Sequence, residues 1–230
     1  MYFDEDVVLD VRLNTLNEYV DYFIIVESVF THKGEKRDLN FDIKNYSKFK
    51  DKIIYLIYEN EPSEIRNISE SDSENEKSEK YILNAIKREN GQRNFIMKGL
   101  DHAEDNDIIL ISDVDEIPNL SNLELENINN EIILFKQNFY YYKFNLKLED
   151  MPWLGTKACK FKKLKSPQWL RNVKDKKYPF WRLDILFSNK KYSNIKFIEN
   201  GGWHFSNMKS PAEIEKKMRT YLHHREYDIN

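Results

Sequence analysis

The stretch Asp107-Ile108-Ile109-Leu110-Ile111-Ser112-Asp113-Val114-Asp115-Glu116-Ile117-Pro118 constrains this chain more than any other. Ile108 to Ile111 is an unbroken apolar run, the pattern of a strand buried on both faces of a parallel sheet. Pro118 cannot donate to a ladder and keeps Ile117 out of a helix, so the strand has to end among Ser112, Asp113, Asp115 and Glu116. Ligands of open α/β sheets bind outside the carboxyl ends of strands, which places chemistry here. Three acids in four residues repel one another unless a cation joins them, and oxygen ligands suit Mg²⁺ or Mn²⁺. The plainer alternative is that Asp113 and Asp115 cap a helix suggested by Leu120 to Glu126.

Other segments repeat the theme. Asp6 to Tyr19 has loose helical spacing, and Tyr22 to Val26 reads as a strand that delivers Glu27 and Ser28 at its end. The loop Phe30-Thr31-His32-Lys33-Gly34 could approach a bound nucleotide with its backbone. Ile53 to Ile57 is a third apolar strand. Glu59 to Lys80 holds eight acids against three bases and is expected to be a mobile acidic loop, solvated or acting as a lid. Lys80 to Leu100 reads as a helix whose inward stripe carries Glu89 and Arg93. Those two are spaced to pair with each other; otherwise Arg93, with Gln92, faces a phosphate or nucleobase.

Glu131 to Lys136 and Asn138 to Leu146 suggest two further strands, followed by a loop, Met151 to Thr156, that offers Trp153 to a sugar face or to the core edge. Lys157 to Lys177 carries nine Lys or Arg against Asp175 alone, a solvated face or a means of steering a diphosphate. Trp181 to Asp184 and Ile195 to Ile198 look strand-like. The pair Gly201-Gly202 marks a sharp turn that presents Trp203 and His204. Pro211 to His223 closes the chain as a helix capped by Ser210.

At 230 residues the chain suffices for one sizeable core, expected as a single domain of two halves, about 1–118 and about 119–230. A net charge of −3 gives no field for nucleic acid. The lone Cys159 excludes an internal disulfide and a Cys-rich zinc site. No run has the length of a membrane span, and the first residues show no signal-peptide pattern. These features lead to an expected cytoplasmic location, free or peripheral to a membrane.

Arg12-Leu13-Asn14, Ile25-Val26-Glu27-Ser28, Gln92-Arg93, Ser112 to Pro118 and Gly202-Trp203-His204-Phe205-Ser206 together resemble glycosyltransferase family 17. The resemblance implies a GT-A-like nucleotide-diphosphosugar transferase fold, α/β with a mixed, mostly parallel central sheet flanked by helices. It also implies an inverting, metal-dependent transfer of N-acetylglucosamine from UDP-GlcNAc. Asp113 and Asp115 would be the metal motif, with His204 biasing the ion toward Mn²⁺ over Mg²⁺. Glu27, Ser28, Thr31, Gln92, Arg93 and Asp113 would contact the donor, and Trp153 and Trp203 the acceptor. The catalytic base would be Glu116, Asp184 or Glu199, with Glu116 favoured as nearest the metal. Family members usually carry a full strand before the position of Phe3, so the expectation is either a sheet that lacks an edge or a truncated start. The best-known relatives are membrane-anchored, and without an anchor the acceptor is expected to be a surface polysaccharide or glycolipid. A nucleotidyltransferase and a sugar-nucleotide-binding protein without turnover are the rivals.

Overall fold

A computed structural model describes residues 1–220. Leu9, Leu13 and Leu16 share one face of helix α1 (Asp6–Leu16) and are buried, each such side chain contributing about 1.5–3 kcal/mol. Strand β1 (Phe23–Ser28) pairs in parallel with β2 (Ile53–Tyr58). Helix α2 (Glu74–Asn94) follows, then β3 (Ile108–Ile111) and β4 (Glu116–Pro118). The long strands β5 (Ile132–Tyr141) and β6 (Lys147–Lys160) form a hairpin. Short helices α3 (Pro167–Asn172) and α4 (Leu183–Leu186) precede β7 (Ile195–Ile198), β8 (Gly202–Ser206) and α5 (Pro211–Thr220).

The larger sheet runs β3-β6-β5-β8-β4, with β7 beside the first half of β5 and β8 beside its second half. It draws β3 and β4 from the first half of the chain and the rest from the second. The architecture is mixed α/β, but the larger sheet is not mostly parallel. Its β3–β6, β5–β6 and β4–β8 pairings are antiparallel, the β5–β6 pair because a tight turn joins the two strands instead of a crossover helix. Ahead of α1, Tyr2 makes one parallel bridge to Glu27. A cavity of about 1030 Å³ lies between β1 and β3, lined by Ile24, Ile25, Leu13, Ile109 and Ile111.

Several expected boundaries shift. The acidic segment is helical from Glu74 onward, because Ser73 and Glu76 form a reciprocal capping box. Its remainder is tied down at Asn84, whose amide bonds both the N–H and the carbonyl of Arg66. Residues 120–126 form turns and a single 3₁₀ turn, not a helix. Met151 to Thr156 belongs to β6, with Pro152 accommodated where the β5–β6 register slips between Gln137 and Phe139. Trp181 to Asp184 enters the short helix α4 instead of a strand, and Asn138 to Leu146 continues β5 only as far as Tyr141. The last predicted helix begins at Pro211 with Ser210 and Glu213 capping it reciprocally. Its end, from 221 to His223, lies outside the described residues.

Candidate active site

The chain leaves β3 at Ile111, turns through Ser112 to Asp115 and enters β4, which runs antiparallel to β8 with Glu116 opposite His204 and Pro118 opposite Gly202. Gly202 makes this contact possible. Its φ is +125°, and a Cβ there would stand 2.1 Å from the Ile117 carbonyl oxygen. Alternation along β8 then sends Trp203 and Phe205 to the core and His204 to the opposite face, beside the acids.

Three arginines hold the acidic turn. Arg171, on α3, donates from Nη1 to Glu116 Oε2 at 2.7 Å and from Nη2 to Glu116 Oε1 at 2.9 Å and Asp113 Oδ2 at 3.0 Å. It also bonds the Gly155 carbonyl, and a Cβ at Gly155 would lie 2.5 Å from the Glu116 carboxyl carbon, so a side chain there would displace that carboxylate. Arg93, on α2, spans Glu89 Oε1 at 2.7 Å, Asp113 Oδ1 at 3.1 Å and the Gln168 side chain. Arg12, on α1, donates to the Glu116 carbonyl at 2.5 Å. Burial alone would raise the Asp113 carboxyl, but Arg171 and Arg93 outweigh it and hold it well below the usual carboxylate range. Burial brings the Arg12 guanidinium down to about 10 against the pull of Glu116 and Asp113.

Asp115 stands apart from this network. Its Oδ2 lies 3.4 Å from His204 Nε2, and its carbonyl accepts the Phe205 N–H at 2.8 Å. The indole of Trp153 lies 4.6 Å from the His204 ring, tilted by 34°, while its Nε1 donates to Glu116 Oε1 at 2.7 Å. His204 Nδ1 is buried without a hydrogen-bond partner; without an ion the Asp115 carboxylate favours the ring proton on Nε2, and an ion between the two groups would take the Nε2 lone pair in its place. Asp115 and His204 therefore fit as two protein donors for a divalent ion. Asp113 is turned to arginines instead, and no group of three acid, His or Cys side chains converges as an ion cage among the described residues. An ion bound by the pair would take its remaining ligands from water and substrate phosphate, as Mg²⁺ commonly does.

Beside Asp115 opens a second cavity of about 630 Å³, lined by Glu5, Tyr142, Phe205, Asn207 and Lys209 among others. Burial raises the Glu5 carboxyl above its ordinary value, with Lys209 pulling the other way.

The remaining predicted residues are distributed as follows. Glu27 is fully buried and saturated by Arg37, Tyr55 and the Asn40 and Phe41 N–H groups. Ser28 accepts from the Phe30 N–H and Thr31 from the Glu35 N–H, both closing the loop after β1. Gln92 donates to the Val26 carbonyl at 3.0 Å, stitching α2 to β1. Asp184 is bound by Arg182 and Lys191, and Glu199 by Lys136, with no contact that ties either to the acidic turn. Of the predicted set, Arg93, Asp113, Asp115, Glu116, Trp153 and His204 come together. Sequence reading missed Arg171, Arg12 and Glu5. Arg171 carried one signal: it is the sole Arg among the nine cations of 157–177, and Arg suits a bidentate carboxylate contact where Lys does not.

The sequence profile of glycosyltransferase family 17 matches residues 1–228. The chain belongs to glycosyltransferase family 17. It is a glycosyltransferase, and sugar transfer implies a sugar donor and an acceptor. No curated protein and no solved structure matches the chain. No helix among the described residues is long and apolar enough to cross a membrane. In this chain Asp113 and Glu116 share Arg171, and Asp115 faces an imidazole.

Proposed function

We propose that this family 17 enzyme moves a sugar, N-acetylglucosamine from UDP-GlcNAc in the first instance, onto a hydroxyl of a glycan or glycolipid, with inversion and with a divalent ion, Mn²⁺ or Mg²⁺, at Asp115 and His204. The observation that carries the reading is the family match along nearly the whole chain. The ion, when bound, would neutralise the departing nucleoside diphosphate. Arg93 and Arg171 keep their guanidinium groups fixed at Asp113, two residues from Asp115, so they would add positive charge for the same diphosphate without reorganising. Trp153, braced by Glu116, would offer its ring face to a sugar.

For the proton of the attacking hydroxyl, Glu116 is poorly suited, since both its oxygens already accept from Arg171. Asp184 and Glu199 are engaged by surface cations. Glu5 lines the same cavity as Asp115 and burial raises its carboxyl, so it is the carboxylate taken here as the base. The GT-A kind of fold is part of this proposal.

The test is to mix the protein with Mn²⁺ and each common nucleotide sugar and follow nucleotide release, with and without EDTA. UDP released from UDP-GlcNAc and lost in EDTA is expected. Released pyrophosphate would assign a nucleotidyltransferase instead, and tight donor binding with no release would assign a binding protein.

A further inference from the structure

We propose that the excursion between Lys177 and Lys191 is a docking loop that seats this protein on an anionic lipid bilayer. Within eight residues it carries Phe180, Trp181, Leu183, Leu186 and Phe187, which are 82, 71, 73, 77 and 90% exposed. Scattered apolar residues are ordinary on a surface, but five large ones at the tip of one loop are not. The loop projects from a closed neck. The Lys174 N–H donates to the Lys190 carbonyl at 2.8 Å, the Tyr178 N–H donates to the Tyr192 carbonyl at 3.0 Å, and Lys177 pairs with Tyr192.

Charge is sorted along the same loop. Lys174, Lys176, Lys177, Lys190 and Lys191 cluster at the neck, with Arg182 nearer the tip, against only Asp175 and Asp184. Asp175 is paired with the buried Lys157, and Asp184 with Arg182 and Lys191, so the collar is left in positive excess. An apolar tip below a lysine collar matches the layering of a membrane surface, where rings and leucines enter the acyl boundary and lysine heads stay with anionic phosphates. A protein partner fits less well, because interfaces between proteins are depleted in Lys. The neck starts just beyond Arg171 and Val173, whose carbonyls hold Lys157 Nζ at 2.9 and 2.6 Å, so docking would fix the arginine-held cleft at a set distance from the lipid.

The test is sedimentation of the full chain with vesicles of phosphatidylcholine, with and without phosphatidylglycerol, and needs no catalytic turnover. It can therefore succeed or fail independently of the transferase reading. Binding is expected to vesicles containing phosphatidylglycerol, weakening severalfold in high salt. A folded Phe180→Ser/Phe187→Ser variant should lose at least about tenfold in partitioning, and Lys176→Glu/Lys190→Glu should remove the salt-sensitive part. Absence of wild-type binding, equal binding to neutral vesicles, or variants that sediment like wild type would each overturn the proposal. So would variants that keep vesicle binding but lose nucleotide release, which would give the loop to the donor site.

Discussion

Arg171 is the side chain on which the acidic turn depends, since Glu116 is 1% exposed and both its oxygens rest on one guanidinium. Arg171→Met should therefore strand a buried carboxylate and cost about 3–5 kcal/mol, with Glu116→Gln in the same chain restoring part of the loss. Denaturant melts of the two variants check this, and an unchanged midpoint in Arg171→Met would remove the arginine from that role. Asp115→Asn removes a charge that no arginine holds, so it should cut sugar transfer by about a hundredfold or more with a melting temperature close to wild type. His204→Ala should lower Mn²⁺ affinity and flatten any preference for Mn²⁺ over Mg²⁺; equal affinity by calorimetry on the folded variant would exclude the imidazole as a ligand. At this scale the sequence was only half readable. The Glu89–Arg93 spacing disclosed the ion pair, but the same guanidinium also reaches Asp113, and that contact depends on how α2 meets the sheet. Arg171 lies 55 residues from Glu116, beyond what any local spacing can disclose.

The pairing of β4 with β8 is the element that converts two glycines and an acidic turn into a site. Gly202→Ala combines a positive φ with a Cβ driven at the Ile117 carbonyl, so β4 has to shift or the backbone has to strain. Strain of this kind costs roughly 1–3 kcal/mol, and the variant should lose at least that together with most sugar transfer, because Asp115 leads directly into β4 and His204 lies on β8. Full activity with wild-type stability would show that this strand pair is more pliable than its geometry implies. At the far end of α2, Ser73→Ala should cost about 1 kcal/mol by removing one half of the capping box. The apolar runs of β1, β2 and β3 were legible because nothing polar interrupts them. Strand β6 was not, since its first half is an exposed arm and Pro152 sits at a register slip, so composition there imitates a loop.

Across the whole molecule the two apolar clusters decide what is stable, and the second of them encloses Cys159, 1% exposed among Val26, Ile132, Leu134 and Leu170. That arrangement was foreshadowed only as an absence of disulfides; which side of the sheet the thiol faces follows from its pairing with Ile109 on β3. Burial pushes the Cys159 thiol up to about 12, whereas in an unfolded chain a thiol titrates near about 8.5. Between those values the native state keeps a proton that the unfolded state has released. The thiol's contribution is thus fully present below about pH 8.5 and declines as pH rises, by about 1.4 kcal/mol per unit. Buried tyrosines contribute in the same direction at higher pH, so the comparison belongs between about pH 8 and 9.5, where an unperturbed phenol is still protonated. Measured by urea unfolding, wild type should lose stability over that window more steeply than Cys159→Val, which keeps an apolar group of similar size in place. Parallel slopes for the two proteins would mean that the thiolate is tolerated inside the cluster, and that this side of the sheet opens to water more readily than its packing suggests.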